Sequence, residues 1–178
     1  MSKVVVTEFL SLDGVMENPA WTFPYWNEEI AKFKYEELFA SGAHLLGRTT
    51  YAGFAAAWPS RSDEQGFAER MNALPKYVVS TTLETGDWNP TTVIRANLAE
   101  AVNQLRSAPG QDILVAGSAT LVQALIAQNL VDELHLLVYP LVVGSGKRLF
   151  QEGTSMKLKL AESRTFSSGV ILLRYQAD

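Results

Sequence analysis

Runs of apolar residues, broken by small and polar ones, divide this chain into alternating strands and helices. The clearest run is Ile113-Leu114-Val115, which reads as a buried strand and ends abruptly at Ala116, Gly117 and Ser118. Ser118 then stands as N-cap of an apolar helix predicted to reach about Gln128. A strand that turns through small residues into a helix lets a ligand's phosphates approach the backbone amides at the helix start, which favours an anionic nucleotide. The same pattern also serves an ordinary tight turn in an α/β domain. Both readings stand at this point.

Ahead of that stretch, residues 3–10 are rich in Val, Thr and Phe and predict a first strand. It stops at Ser11-Leu12-Asp13-Gly14, where Asp and Gly supply turn chemistry. Residues 15–26 carry two prolines, which argue against regular structure, and four large aromatics, Trp21, Phe23, Tyr25 and Trp26. These rings either plug an edge of the core or line a pocket for a flat ligand. Asn27 is placed to cap a helix to about Phe39, with Glu28 and Glu29 in its first turn and Ile30, Phe33 and Leu38 on its buried side.

Residues 43–47 predict a second strand, with His44 facing a neighbour rather than doing chemistry. Gly47-Arg48-Thr49-Thr50-Tyr51 leaves its end, where ligands gather in α/β sheets. Residues 52–64 read as a loop and 65–74 as a short helix. A strand over 76–80 ends in the hydroxyl cluster Ser80-Thr81-Thr82, and another lies near 92–94. Asn97 and Glu100 have the spacing of a capping box for a helix to about Ser107. After the central helix, residues 132–139 predict a strand. The glycines of 144–148 fit no phosphate-loop spacing, so a structural turn with Leu149 and Phe150 docked inward is expected. Residues 157–166 and 170–176 read as a terminal hairpin. Its consecutive Val170-Ile171-Leu172-Leu173 implies cover on both faces, from which a homodimer through the hairpin is expected.

Composition narrows the function. The length of 178 residues and a 47% hydrophobic share suit one domain with a sizeable core. A formal net charge of −4 argues against a nucleic-acid surface. There is no cysteine and only two histidines, so neither a disulfide nor a thiolate- or histidine-built metal site is expected. No signal peptide opens the chain and no apolar run reaches membrane-spanning length, so no membrane partner and a cytoplasmic location are expected.

Taken whole, the chain resembles the dihydrofolate reductase-like fold, and within it the C-terminal reductase domain of the bifunctional riboflavin-pathway deaminase-reductases. The resemblance rests on Ser11-Leu12-Asp13-Gly14, Gly47-Arg48-Thr49-Thr50-Tyr51, Ala116-Gly117-Ser118, Val131-Asp132-Glu133-Leu134 and Gly144-Ser145-Gly146-Lys147-Arg148-Leu149-Phe150, in that order along nearly the whole chain. It implies one α/β domain with a mostly parallel central sheet, helices on both faces and a C-terminal antiparallel hairpin. It also implies NADPH as cofactor.

By that resemblance Gly47 lets the pyrophosphate come close, and Thr49 and Thr50 offer donors at the following helix start. Ala116, Gly117, Ser118, Ala119 and Thr120 form the second phosphate turn. Arg48 would take the adenosine 2′-phosphate, bordered by Ser80 and Thr81; a guanidinium fork matches a phosphate dianion. Asp13 and Glu29 are the acids expected nearest the reacting ring, and Trp21, Phe23 and Trp26 the wall that holds it. The riboflavin-pathway reductases carry an acidic Asp-Asn-Pro or Asp-Asp-Pro segment after the second strand, whereas this chain has Tyr51-Ala52-Gly53-Phe54-Ala55-Ala56-Ala57-Trp58-Pro59. The implied activity is hydride transfer to a flat heterocycle or its ribityl precursor. Pterin reduction, or nucleotide binding on the same fold without catalysis, are the alternatives.

Overall fold

A computed structural model describes residues 1–178. Strand β1 (Val4–Leu10) leads through a short 3₁₀ helix (Pro19–Tyr25) into α1 (Glu28–Phe39) and β2 (Ser41–Gly47). Helices α2 (Arg48–Ala57) and α3 (Phe67–Ala73) precede β3 (Lys76–Val79) and β4 (Thr91–Ile94). Then come α4 (Leu98–Ser107), β5 (Asp112–Ala116), α5 (Ala119–Ala127) and β6 (Glu133–Val138). The hairpin β7 (Leu158–Thr165) and β8 (Ile171–Ala177) ends the fold. All strands join one sheet of eight in the order β4-β3-β2-β5-β1-β6-β8-β7. Strands β1 to β6 pair in parallel, and β8 runs antiparallel to both β6 and β7.

Strand alternation decides which residues meet which helices. Val4, Val6, Leu45 and Val115 point to the face covered by Val102 of α4 and by Leu121, Val122 and Leu125 of α5. Val5, Leu46, Val78 and Leu114 point the other way, against Leu38 of α1, Tyr51 of α2 and Met71 of α3. A third cluster joins Ile30 and Phe33 of α1 to Tyr139, Phe166, Val170 and Leu172. The interior strands are thus apolar on both faces, as a parallel sheet with helices on both sides requires. No helix is long and apolar enough to cross a membrane.

Several local expectations are corrected. Residues 48–57 are helical, so the predicted loop at 52–64 begins only after α2; Ala52 and the run Ala55-Ala56-Ala57 are strong helix formers. The two prolines of the aromatic segment sit at the start and near the end of the 3₁₀ helix, where a missing N–H costs little. Asn97 adopts a left-handed backbone with φ 54° and makes no side-chain cap bond, so no capping box forms. Leu149 is fully buried but Phe150 is exposed rather than docked inward. On the hairpin, Val170 and Leu172 are covered by α1 and Tyr139 of the same chain, while Ile171 stays exposed.

Candidate active site

The turns after β2 and β5 touch. A Cβ on Gly47 would lie 2.2 Å from the Ser118 hydroxyl, and one on Gly117 would lie 2.6 Å from Oγ1 of Thr50. Gly117 also has φ +64°, a left-handed conformation that side chains rarely adopt. Only glycine fits either place. As β2 and β5 are parallel neighbours, the helices that follow them, α2 and α5, start side by side. Each brings first-turn N–H groups without intrahelical partners, together with the positive end of its dipole.

These helix starts open on a cavity of about 1600 Å³. Thr49, Thr50, Gly117, Ser118, Ala119 and Thr120 line it where the helices begin. Tyr35 and Leu38 of α1 and Phe54, Trp58, Phe67 and Met71 from α2 to α3 line it too, an aromatic and apolar surface suited to a flat ring. Phe23 and Trp26 also line the cavity, and both are exposed. Thr7, Glu8 and Phe9 of β1 contribute to its floor, with His44 and Leu114.

A chain of charges stands along the α1 side of this floor. Lys34 Nζ donates to Thr7 Oγ1 at 2.9 Å and to the Glu37 carboxylate. Glu37 Oε1 meets His135 Nδ1 at 2.7 Å, and His135 Nε2 lies 3.3 Å from Glu133 Oε2. Burial alone would raise Glu37, but the Lys34 charge and the His135 contact hold it well below the usual carboxylate range. His44 is buried with neither ring nitrogen bonded. Burial, aided by the Lys76 and Lys34 charges, pushes it down to about 4, so its ring is neutral at physiological pH.

The sequence-predicted residues divide between this cavity and other tasks. Thr49, Thr50, Ala116, Gly117, Ser118, Ala119 and Thr120 line it with Phe23 and Trp26. Gly47 stands immediately behind, against Ser118. Arg48 and Thr81 are exposed outside the lining, and Ser80 uses its hydroxyl to accept from the Thr82 and Leu83 amides. Trp21 is turned away from the cavity, edge-on to Tyr139 with ring centroids 5.5 Å apart.

Asp13 and Glu29 do not line the cavity either, because other groups consume their carboxylates. Asp13 accepts from the Ser11 hydroxyl at 2.5 Å and from the Val143 and Gly144 amides at 3.1 and 2.8 Å. These bonds, Ser11 foremost, hold it down to about 2 and pin the 143–148 turn. Glu29 accepts from the Ser167 hydroxyl and from its amide at 2.9 Å, which keeps it ionised and ties α1 to the hairpin turn. Its neighbour Glu28 faces the cavity instead. Sequence reasoning passed over Lys34, Glu37, Trp58 and, above all, Glu8. Glu8 had a visible signal: with Val4, Val6 and Leu10 it occupies one face of a strand that is otherwise apolar.

A mostly parallel sheet with an antiparallel hairpin edge, and a cleft where two helix starts meet, define an α/β protein of the doubly covered sheet class. The RibD C-terminal domain family matches residues 2–172, and the chain belongs to that family. It is 36% identical over 135 residues to the uncharacterized protein YyaP of Bacillus subtilis (strain 168), covering 74% of this chain and 71% of that one. Among solved structures, a putative riboflavin biosynthesis protein from Shewanella sp. PV-4 superposes with a TM-score of 0.80 over 99% of both chains at 19% identity. A pyrimidine reductase-like protein from Corynebacterium diphtheriae gives 0.68 at 14% identity, over 99% of this chain and 92% of its own. At these identities the structural likeness is one of fold.

Proposed function

We propose that this protein is a reductase that uses NADPH to reduce a flat heterocycle or its ribityl precursor. The reaction resembles that of the riboflavin-pathway domain on 5-amino-6-(5-phosphoribosylamino)uracil. The observation that carries this reading is the contact between the two glycine turns. It sets the starts of α2 and α5 so close together that a Cβ on either glycine would collide with the other turn. A dinucleotide's pyrophosphate is an anion of the size and charge for which paired helix starts are suited. Membership of the RibD C-terminal domain family and the pyrimidine reductase-like neighbour support the same reading.

In this reading Thr49, Thr50, Ser118, Ala119 and Thr120 hold the pyrophosphate, and exposed Arg48, with Ser80 and Thr81, takes the 2′-phosphate. NADPH, when bound, supplies a hydride. The protein's own residues orient the acceptor: Tyr35, Phe54 and Trp58 offer apolar faces, while Phe23 and Trp26 narrow the mouth and exclude water. Tryptophan fluorescence titrated with NADPH and with NADH tests the assignment, since Trp26 and Trp58 line the cavity. NADPH is expected to bind more tightly, and Arg48→Ala to erase most of that preference. Losing a charge-assisted bond to phosphate costs about 1.5–3 kcal/mol, a tenfold or greater change in affinity. Equal affinities in the unmutated protein, or no binding of either, would overturn the reading.

A further inference from the structure

Val4, Val6, Glu8 and Leu10 share one face of β1, and all but Glu8 join the apolar cluster beneath α4 and α5. Glu8 is 5% exposed. Its Oε1 is shut from solvent and has no hydrogen-bond partner, yet the residue lines the cavity. On one side it pairs with Leu136 of β6. On the other, β5 ends at Ala116 opposite Thr7, so the sheet opens beside Glu8 onto the Gly117 turn. The charges that act on it are Lys34 and Glu37 of α1, and Glu17 and Lys147 line the same cavity. None of them bonds it. Lys34 is committed to Thr7 and Glu37, and Glu37 to Lys34 and His135.

Buried carboxyl oxygens in native proteins are almost always satisfied, and one left bare at a cavity wall asks for a partner from outside the chain. Burial, with the like charge of Glu37, pushes Glu8 up to about 8 against the pull of Lys34 and the Gly117 amide. It therefore carries a proton at neutral pH, as a general acid must. The groove from the two helix starts toward the end of β1 passes over this residue.

We propose that Glu8 is the proton donor of the reduction, and hence that the acceptor presents a polarised C=O or C=N bond at this point of the floor. This rests on the reading of the protein as a reductase. As the hydride's electron pair forms a C–H bond at the acceptor carbon, the π pair moves to oxygen or nitrogen. That atom takes the proton from Glu8 as the carboxyl O–H bond breaks. NADP⁺ and the reduced acceptor leave as products, and the glutamate regains a proton from solvent through the open cleft.

The test uses the isosteric Glu8→Gln, with Glu8→Asp as a second variant that keeps the acid. The first measurement needs no acceptor. A native carboxyl titrating above its unfolded value of about 4.5 makes the folded state bind more protons between the two values. Wild-type melting temperature is therefore expected to fall, relative to Glu8→Gln, as pH rises from 5 to 9. The second measures NADPH oxidation with 5-amino-6-(5-phosphoribosylamino)uracil and, in parallel, 7,8-dihydrofolate. Glu8→Gln is expected to lower kcat about 10²- to 10⁴-fold with NADPH affinity unchanged, and Glu8→Asp to retain part of it. The wild-type rate is expected to decline above about pH 8, a limb absent in Glu8→Gln. Wild-type kcat in Glu8→Gln, or melting curves that run parallel across the pH range, would overturn the proposal. A wild type that binds no NADPH, or oxidises it with neither acceptor, instead overturns the reductase reading and this inference with it, before any variant is made.

Discussion

Glu37 and Glu8 are both buried and line one cavity, yet they are in opposite states. Glu37 meets an ammonium and an imidazole and stays ionised; Glu8 meets neither and holds its proton. Depth of burial is the same for both, so it does not decide the outcome. What decides is whether the fold supplied partners. A buried carboxylate with its lone pairs used is part of the scaffold, and removing it strands the charges left behind. One whose oxygen is bare is available to a ligand. The same distinction separates Asp13 and Glu29, occupied by backbone amides and hydroxyls, from the cavity they were expected to serve.

The largest effect expected from this contrast is at Glu37. Glu37→Ala strips the largely buried Lys34 ammonium of its carboxylate and His135 Nδ1 of its hydrogen-bond partner, and is expected to cost about 3–5 kcal/mol in chemical denaturation. Because Glu37 is held below its unfolded value, its contribution is present above about pH 4.5 and is lost as pH falls further. A loss below about 1 kcal/mol would erase the distinction from Glu8.

A medium effect sharpens the contrast among the aromatics. Trp21 packs on Tyr139 and donates its Nε1 hydrogen to the Glu17 carbonyl at 3.3 Å, whereas Trp26 is 48% exposed at the cavity mouth. Trp21→Ala is expected to cost about 3 kcal/mol of stability. Trp26→Ala is expected to cost less than about 1 kcal/mol while weakening acceptor binding. Paired melts and kinetics separate them, and the reverse pattern would assign the wall to Trp21.

The smallest effect belongs to the hairpin. Leu172 is covered by its own chain, but Ile171 and Leu160 remain exposed on adjoining strands, and we propose that a second copy covers them. Ile171→Lys is expected to leave monomer stability within about 0.5 kcal/mol yet shift light scattering from dimer to monomer. A wild type that scatters as a monomer at micromolar concentration would remove the second copy.

Most of the sheet was legible, because its strands are short apolar runs closed by glycine, proline or hydroxyl residues, and periodicity sees such runs directly. The helix α2 was not, since Gly53 and the Trp58-Pro59 pair mask an alanine-rich segment whose only buried residue is Tyr51. The part of the cavity at the two helix starts was legible for the same local reason as the strands: each glycine turn is contiguous in sequence. The part lined by α1 was not. Lys34 and Glu37 form a visible helical pair, but His135 arrives from 98 residues further along. Glu29 looked better placed than Glu28 until the hairpin turn, through Ser167, claimed it. Sequence spacing says which residues share a helix face, and only the assembled fold says which faces the cavity.

The strand order has a consequence for how the molecule comes into being. β1 is made first but lies between β5 and β6, with Val4 opposite Ile113 and Leu10 opposite Val138. During synthesis at about 5–20 residues per second, its apolar run waits roughly 5–20 s for a first neighbour. Until then neither the floor carrying Glu8 nor the contact between the glycine turns can exist. The nascent chain thus carries a seven-residue, mostly apolar strand in search of an edge, the condition in which holding chaperones are most useful. A stalled chain ending before residue 112 is expected to be cut readily by protease within residues 4–10, whereas one extended past residue 138 gains protection there.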